Sequence, residues 1–347
     1  MILVTGGSGF IGANFILNWF SENEEPLVNL DKLTYASNQE NLKHLKKSEN
    51  YFFEKGSIED FSLVSALLEK YRPRSIVNFA AESHVDRSIN NPRDFLNSNT
   101  IGTFNLLESA REYWNMMPIK KKELFRFIHV STDEVFGSLK KIGKFSESSQ
   151  YKPSSPYSAS KAASDHFVSS WFKTYKLPTV ISNCSNNYGP RQFPEKLIPL
   201  TIMKIINNEK IPIYGNGSNI RDWLFVDDHI DALRTLSMKG EPGKKYCIGG
   251  GQELNNLKII NLICEKMDKK LKNKNKSNSL ISFVQDRAGH DYRYSIDYTL
   301  ISEELNWAPK TSLDEGLDRT LDWYLNNQKW CYEVVKSSKY NFERLGI

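Results

Sequence analysis

Three adjacent polar residues, Thr132, Asp133 and Glu134, follow the apolar run at residues 127–130. The end of a strand in a nucleotide-binding sheet would deliver these side chains to a ligand at the carboxyl edge. Two neighbouring carboxyl groups do not both ionise cheaply, so one tends to stay protonated as an acid while the other acts as a base. The triplet therefore favours an elimination reaction. A solvated turn after a strand is the competing interpretation, and the triplet alone does not decide between them.

Tyr157 and Lys161 are a second pair of residues that could take part in catalysis. They lie four residues apart at the start of a predicted helix. This spacing puts the phenol and the ammonium on one helix face. Because a nearby cation stabilises a phenolate, we expect Lys161 to lower the pKa of Tyr157 and make it a base for a sugar hydroxyl. The same pattern is frequent by chance, and on its own it usually marks an ordinary exposed helix face.

The first residues of the chain, 5–12, read TGGSGFIG between a short apolar run and an amphipathic stretch. Glycines in this setting allow a tight turn and close approach to a pyrophosphate, and the N-terminus of the following helix attracts negative charge. Asp31 ends the next apolar run, where a carboxylate can accept hydrogen bonds from ribose hydroxyls. Its charge repels a 2′-phosphate, which favours NAD over NADP. The competing interpretation is a glycine-rich turn without a ligand.

These residues need a sheet to position them, and the chain alternates apolar runs with amphipathic stretches. The predicted strands cover residues 2–4, 27–30, 51–53, 75–79, 127–130 and 179–182, and two long predicted helices cover 92–114 and 156–175. Strands that alternate with helices indicate βαβ units and a parallel sheet. We therefore predict an α/β fold, a Rossmann-type doubly wound parallel sheet with a smaller C-terminal substrate-binding lobe.

The predicted domain boundaries follow this rhythm. Residues 1–184 form the NAD-binding Rossmann domain, to which 218–248 return. After Asn183 the chain is punctuated by Pro and Gly, and we interpret segments such as 188–190 and 214–217 as loops of the smaller lobe. Residues 185–217 and 249–330 then make the sugar-nucleotide-binding lobe, and 331–347 a C-terminal extension.

Composition limits the class of protein. The 347 residues are 39% hydrophobic, enough for a large core, and 46 basic against 41 acidic residues leave a net charge of +5. The lysine-rich stretch 269–276 is typical of a solvated loop, so we expect no nucleic-acid partner. The four cysteines lack metal-site or disulfide spacing, so we expect no metal. No apolar run approaches membrane-spanning length, and Met1 leads directly into a strand, so we expect a cytoplasmic protein without a membrane partner.

Five segments carry a resemblance to a known family. They are 80–88 (AAESHVDRS), 131–137 (STDEVFG), 185–190 (SNNYGP), 220–223 (IRDW) and 286–291 (DRAGHD). With the glycine motif, Thr132 and the Tyr/Lys pair, they make the chain similar to the extended short-chain dehydrogenase/reductases and, among these, to the dTDP-glucose 4,6-dehydratase family. The resemblance covers nearly the whole chain. Its most discriminating part is the Asp133–Glu134 pair, which the related epimerases and decarboxylases do not carry.

The resemblance implies a set of binding residues. For NAD they are Gly6, Gly9, Phe10, Ile11, Gly12, Asp31, Lys32, Leu33, Thr34, Ser57, Ile58, Phe79, Ala80, Ala81, Glu82, Ser83, Ser98, Tyr157, Lys161 and Asn187. For the dTDP-sugar they are Ser83, Thr132, Asn186, Lys196, Leu197, Pro212, Ile213, Tyr214, Arg221, Asn256, Asp286, Arg287, Ala288, Gly289 and His290. Arg221 and Arg287 suit a pyrophosphate, because a guanidinium offers forked donors with a permanent charge.

One position departs from the family pattern. Where relatives usually carry Asp-Ile after the third strand, with the carboxylate reaching the adenine amine, this chain has Ser57 and Ile58. A neutral hydroxyl makes a weaker hydrogen bond than a carboxylate does. We therefore expect a weakened adenine contact unless another group compensates.

The resemblance also implies a reaction, catalysed by Thr132, Asp133, Glu134, Tyr157 and Lys161. Tyr157 removes the C4 hydroxyl proton of dTDP-glucose while hydride passes from C4 to NAD. Glu134 then takes the acidified C5 proton, Asp133 protonates the departing C6 hydroxyl, hydride returns to C6, and C5 is reprotonated. The product is dTDP-4-keto-6-deoxyglucose, as in deoxysugar pathways such as dTDP-rhamnose biosynthesis.

Three other readings of the chain remain open: a dehydratase for another nucleotide sugar, a UDP-hexose 4-epimerase, and a non-catalytic NAD-binding protein. An epimerase would use the same Tyr157, Lys161 and NAD but would have no task for Asp133 and Glu134. The resemblance further implies a C2 homodimer through helices 92–114 and 156–175.

Overall fold

A computed structural model describes residues 1–338 and residue 340. The strands are β1 Ile2–Thr5, β2 Leu27–Asp31, β3 Tyr51–Lys55, β4 Ser75–Asn78, β5 Arg126–Thr132, β6 Thr179–Cys184, β7 Asn186–Tyr188, β8 Ile211–Tyr214, β9 Ile220–Phe225, β10 Lys245–Ile248, β11 Glu253–Asn255 and β12 Ile281–Val284. The helices are α1 Phe10–Glu22, α2 Phe61–Tyr71, α3 Val85–Asn90, α4 Pro92–Phe95, α5 Gly102–Asn115, α6 Ile119–Leu124, α7 Pro156–Tyr175, α8 Leu197–Ile206, α9 Val226–Lys239, α10 Asn256–Leu271, α11 Thr299–Leu305, α12 Leu313–Asn326 and α13 Gln328–Ser338. Short 3₁₀ helices cover Gln39–Lys47, Asp133–Phe136 and Ser277–Leu280, and a π-helical segment covers Leu96–Ile101.

Seven parallel strands form the central sheet, in the order β10-β6-β5-β4-β1-β2-β3. The strand order reverses at β1, which lies between β2 and β4. A crevice opens at such a reversal, outside the carboxyl ends of the strands, and ligands of doubly wound folds bind there. The predicted fold class is confirmed.

Apolar side chains on both faces of the sheet explain why its strands read as continuous apolar runs. One face packs against α1, α9 and α11, and the other against α2, α5 and α7. A separate core joins β8 and β9 to α8, α10 and α12. This second core supports the walls that stand over the carboxyl edge of the sheet.

Several elements differ from the sequence prediction. Residues 92–114 are not one regular helix, because the π-helical segment separates α4 from α5. Beyond Asn183 the sequence prediction named only loop segments such as 188–190 and 214–217, whereas helices α8–α13 also lie there, with Pro199 inside α8 and Gly316 inside α12. Strand β10, which has four residues and was not among the predicted strands, joins the central sheet beside β6.

The division of the chain into domains stays a prediction. Residues 339 and 341–347 of the predicted C-terminal extension lie outside the described residues. In the part of the chain that is described, no helix is both long and apolar enough to cross a membrane.

Candidate active site

The glycine loop between β1 and α1 lies at the strand-order reversal. Gly6 has a positive φ of 67°, and a Cβ there would lie 2.7 Å from the backbone nitrogen of Ala80. A Cβ on Gly12 would collide with the carbonyl oxygen of Gly6. Gly9 precedes α1 and provides no side-chain cap, so the amide groups of the first helical turn stay available to an anion.

Asp31 lies at the end of β2, beside the glycine loop. Its carboxylate accepts hydrogen bonds from the backbone nitrogens of Ser8 at 2.9 Å and Leu33 at 2.7 Å, and from the Ser37 hydroxyl at 3.0 Å. Burial raises the pKa of Asp31, and these hydrogen bonds oppose that shift. The carboxylate is therefore held in a fixed orientation at the place where a ribose is expected.

A continuous cleft runs from this loop along the carboxyl edge of the sheet to the Thr132 triplet. Of the predicted cofactor residues, its walls contain Gly6, Gly9, Phe10, Ile11, Gly12, Asp31, Lys32, Thr34, Ser57, Ile58, Phe79, Ala80, Ala81, Glu82, Ser83, Ser98, Tyr157, Lys161 and Asn187. Leu33 is not among them, because its backbone turns back onto Asp31. Available helix amides, an oriented carboxylate and an elongated cleft fit a dinucleotide.

The end of the cleft near β2 and β3 contains a carboxylate other than the adenine-binding aspartate that relatives carry at the position of Ser57. Ser57 is partly exposed there, and its hydroxyl accepts a hydrogen bond from the Glu59 backbone at 3.2 Å. Glu59 also lines the cleft, and its Oε1 lies 3.0 Å from Nζ of Lys32 and 3.1 Å from Oγ of Ser98. A carboxylate is therefore present two residues after Ser57.

Replacing Ser57 with Asp should tighten NAD binding by about 1 kcal/mol, because a carboxylate accepts a stronger hydrogen bond from the adenine amine. Calorimetric titration of NAD into the cofactor-free protein measures the change. Ser57→Ala is the control, since it removes the hydroxyl without adding charge. An NAD affinity of Ser57→Asp equal to or below that of the unmodified protein would contradict the contact.

The triplet ends β5 and enters the 3₁₀ turn Asp133–Phe136. The Thr132 hydroxyl accepts a hydrogen bond from the Glu134 backbone at 3.2 Å and lies 3.3 Å from Oδ1 of Asp133. Asp133 is buried, and its Oδ2 has no hydrogen-bond partner among the described residues. Glu134 is partly exposed and borders both this cleft and a second one. The solvated-turn interpretation of Asp133 is therefore wrong.

The two carboxyl groups of the triplet differ in their electrostatic surroundings. Burial raises the pKa of Asp133 well above its usual range, and the neighbouring charge of Glu134 raises it further. Burial also raises the pKa of Glu134, but the charges of Arg287, Arg221 and Lys196 oppose this shift. Such surroundings favour a protonated Asp133 beside an ionised Glu134.

Helix α7 places Tyr157 and Lys161 next to the triplet. The helix begins after a capping box of Ser155 and Ser158 with Pro156 in its first turn, which fixes Tyr157 in the wall of the cleft. Nζ of Lys161 donates a hydrogen bond to the Val130 carbonyl oxygen at 2.9 Å. Both side chains are buried, so the exposed-face interpretation is wrong.

The pKa of Tyr157 does not shift in the direction that the sequence predicted. Burial raises the pKa of Tyr157 well above its usual range, and the charge of Glu134 raises it further, while a hydrogen bond with Thr132 opposes both. The sequence prediction considered only the cation and omitted the cost of burying a phenolate. Positive charge brought by a ligand would act against that cost.

A second cleft joins the first at Glu134, Ser83, Asn186 and Lys196. Of the predicted sugar-nucleotide residues, its walls contain Ser83, Asn186, Lys196, Leu197, Ile213, Tyr214, Arg221, Asn256, Arg287 and His290. Thr132 lines the first cleft instead. Three basic side chains, Lys196, Arg221 and Arg287, therefore face the second cleft, which suits a diphosphate.

Four predicted sugar-nucleotide residues do not line either cleft: Pro212, Asp286, Ala288 and Gly289. Pro212 lies outside the clefts because side chains alternate between the two faces of β8, and the neighbouring Ile213 is buried on the other face. Asp286 accepts a hydrogen bond at 2.6 Å from Nδ1 of His290, so it supports a wall residue from behind. The direct contacts predicted for these four residues stay predictions.

Some residues of the site were missed by the sequence prediction. Asp86 is buried and bonds to Nη1 of Arg287 at 3.1 Å and to the Tyr214 hydroxyl at 2.8 Å, so it orients two wall residues. Glu195 lines both clefts and accepts hydrogen bonds from Tyr35 at 2.9 Å and Arg87 at 3.2 Å. Asp86 lies within the motif at 80–88, but nothing in that motif indicates its partners.

Comparisons with known proteins agree with this geometry. The family model described as GDP-mannose 4,6 dehydratase matches residues 3–320. A dTDP-glucose 4,6-dehydratase of Xanthomonas campestris is 49% identical over 346 residues, covering 99% of this chain and 98% of the relative. The chain belongs to the dTDP-glucose 4,6-dehydratase family.

Solved structures of this family have the same fold. The dTDP-glucose 4,6-dehydratase of Bacillus anthracis, solved in complex with NAD, is 40% identical with a TM-score of 0.85, and the match covers 96% of this chain and 99% of that one. The Streptomyces venezuelae dTDP-glucose 4,6-dehydratase, also solved with NAD, is 39% identical with a TM-score of 0.87 over the same shares. The likeness thus extends over both clefts.

Proposed function

We propose that the protein is a dTDP-glucose 4,6-dehydratase, an NAD-dependent lyase that converts dTDP-glucose to dTDP-4-keto-6-deoxyglucose and water. The observation that carries this proposal is the junction of the two clefts. There Tyr157 and Lys161 meet a buried Asp133 and a partly exposed Glu134. Oxidation of a hydroxyl requires the first pair, whereas elimination of water requires the second.

The first step is removal of the C4 hydroxyl proton of the sugar. Tyr157 takes this proton as a phenolate, while Thr132 and Lys161 hold the tyrosine oxygen and the substrate hydroxyl in place. The glycine loop, Asp31 and the rest of the first cleft would hold NAD, which would supply an acceptor for the C4 hydride and then a hydride donor for C6, after which C5 is reprotonated. Burial of the reacting groups excludes water from the oxidised sugar.

Elimination follows because a ketone at C4 acidifies the hydrogen at C5. Glu134 takes the C5 proton, and the cations that face it favour its ionised state before the step. Asp133 gives its proton to the departing C6 hydroxyl, consistent with the raised pKa of that carboxyl group and its unpartnered Oδ2. The roles of these two residues follow from their environments.

The second cleft is suited to the nucleotide diphosphate. The Arg221 guanidinium stacks 4.4 Å from the centre of the Tyr294 ring and donates to the Asp291 carbonyl oxygen at 3.1 Å, which fixes its plane. Arg287 is fixed by Asp86 at 3.1 Å. Burial, with the charge of Arg287, lowers the pKa of His290 to about 4, so this imidazole binds as a neutral group near pH 7.

An assay of dTDP-, UDP-, CDP- and GDP-glucose with mass detection of the product tests the function. The proposal predicts loss of one water from dTDP-glucose and far slower reaction of the other three. A product of unchanged mass would indicate epimerisation instead. Faster dehydration of another nucleotide sugar would keep the reaction class and contradict the base specificity.

We also propose a C2 homodimer, because apolar side chains on the helices near the site remain exposed. Leu96, Ile101 and Phe104 have exposed fractions of 52%, 45% and 38%, and Phe104 packs edge-on against Trp171 of α7. Burial of such a patch between two copies is favourable. Service in deoxysugar biosynthesis and a cytoplasmic location remain predictions.

If this patch is the dimer interface, negative charge introduced there should dissociate the dimer. Ile101→Glu combined with Phe104→Glu should convert the dimer to a monomer at micromolar concentration, because two carboxylates would be buried without partners. Sedimentation velocity measures the change. Ile142→Glu is the control, since that side chain is exposed and distant in sequence from the patch. A fully active monomer of the unmodified protein would contradict the homodimer.

A further inference from the structure

The helix that carries Tyr157 and Lys161 carries a third polar side chain on the same face. Asp165 follows Lys161 by one further helical turn and is buried beneath the floor of the cleft. Its Oδ2 accepts hydrogen bonds from the Tyr151 hydroxyl at 2.9 Å and from the Asn183 side chain at 3.0 Å. Its Oδ1 has no hydrogen-bond partner among the described residues.

The imidazole of His129 lies between this oxygen and the lysine. Nε2 of His129 is 3.5 Å from Oδ1 of Asp165 and 3.5 Å from Nζ of Lys161. The ring has no exposed surface, because it lies in β5 at the centre of the sheet. A buried carboxylate and a buried ammonium therefore face the same nitrogen.

A chain of hydrogen bonds determines which nitrogen of His129 carries the proton. The Ala80 amide lies 3.3 Å from the Thr5 hydroxyl, which donates at 2.6 Å to Oδ1 of Asn78. Nδ2 of Asn78 then lies 3.2 Å from Nδ1 of His129, which must accept. The proton of a neutral His129 is therefore on Nε2, where it points toward Asp165 and Lys161.

We propose that Asp165, acting with His129, is a positioning residue that keeps the ammonium of Lys161 charged and fixed beside Tyr157. The Nε2–H group of a neutral imidazole cannot accept a proton from Lys161, but it can donate toward the carboxylate. Asp165 thus supplies the negative charge that a buried ammonium requires, without direct contact that would pull Lys161 away from the cleft. This inference rests on the role of Lys161 in the proposed function.

The electrostatic surroundings of Lys161 support a role for Asp165 in keeping its ammonium charged. Burial lowers the pKa of Lys161 to about 8, and the charge of Asp165 opposes that shift. Burial and the charge of Lys161 keep the pKa of His129 well below its usual range, so the ring is neutral. Cys184, from β6, is buried, and burial raises the pKa of its thiol, so it supplies no charge at neutral pH. Burial raises the pKa of Asp165, and the charge of Lys161 and the hydrogen bonds from Asn183 and Tyr151 oppose that shift, so the carboxylate and the ammonium stabilise each other's charge.

The test measures the titration of Lys161 directly. Carbamoylation by cyanate, which requires the neutral amine, is followed at Lys161 by mass spectrometry as a function of pH. The midpoint in the unmodified protein should lie near 8. In Asp165→Asn it should fall by about one pH unit, because the amine loses its proton more easily without the carboxylate. The alkaline limit of C4 oxidation should fall by the same amount.

Tyr151→Phe is the matched control, because it removes a hydrogen bond from the other oxygen of the same carboxylate. It should leave the midpoint close to that of the unmodified protein. Asp165→Ser, which leaves space for water, replaces Asp165→Asn if the latter folds poorly. A lower rate at every pH with an unmoved midpoint would show a purely structural role and overturn the proposal. Since labelling needs no substrate, failure of the dehydratase assay alone would refute the function and leave this measurement valid.

Discussion

Tyr157→Phe should lower the rate of C4 oxidation by about 10³-fold, the range lost with a general base. The phenolate form of Tyr157 is the proton acceptor at the junction of the two clefts, and phenylalanine fills the same buried space without accepting a proton. The packing of this ring against Phe95 should persist, because the two ring centroids lie 6.2 Å apart and the contact does not involve the hydroxyl. Single-turnover absorbance of the reduced nicotinamide after mixing with dTDP-glucose measures the rate.

The matched control is Tyr175→Phe, at the exposed end of the same helix. It should react at the rate of the unmodified protein. Oxidation by a folded, NAD-bound Tyr157→Phe variant at more than about a tenth of the normal rate would assign the base to another group.

Glu134→Gln should separate oxidation from elimination. Tyr157, Lys161 and the first cleft remain intact, so C4 oxidation should proceed, but an amide cannot remove the C5 proton. Reduced nicotinamide should therefore accumulate, while water loss slows by about 10²-fold or more. The measurement combines single-turnover absorbance with deuterium incorporation at C5 from heavy water.

Asp133→Asn provides the comparison, because it removes the acid and keeps the base. Elimination should slow, whereas exchange of the C5 proton should survive. If a folded and NAD-bound Glu134→Gln loses C4 oxidation as severely as Tyr157→Phe does, Glu134 is not the elimination base. Normal water loss by Glu134→Gln would refute the assignment equally.

Six of the seven central strands could be predicted from the sequence, because β1, β2, β4, β5 and β6 are largely buried and read as apolar runs, and the partly buried β3 also begins with an aromatic run. The glycine loop and Asp31 could be placed because backbone conformation and strand order constrain them locally. The bounds of α7 were predictable from Pro156 and its capping residues. These features depend on residues close together in the chain.

What could not be predicted depends on distant partners. Asp86 and Arg287 form an ion pair across 201 positions of the chain, and no spacing rule indicates it. The pKa of Tyr157 moves opposite to the expected direction because burial outweighs the cation, and burial is a property of the folded protein. The place of Glu59 in the cleft could not be predicted, because it depends on Lys32 and Ser98, which lie far from it in the chain and contact its carboxylate.

The most direct test of the central claim follows the hydrogen at C4. With dTDP-glucose carrying deuterium at C4, redox-neutral dehydration predicts a product that has lost one water and retains the deuterium, now at C6. Mass spectrometry locates the label after fragmentation. A product that keeps its water, or one that loses water but releases the deuterium, would contradict hydride transfer from C4 to C6.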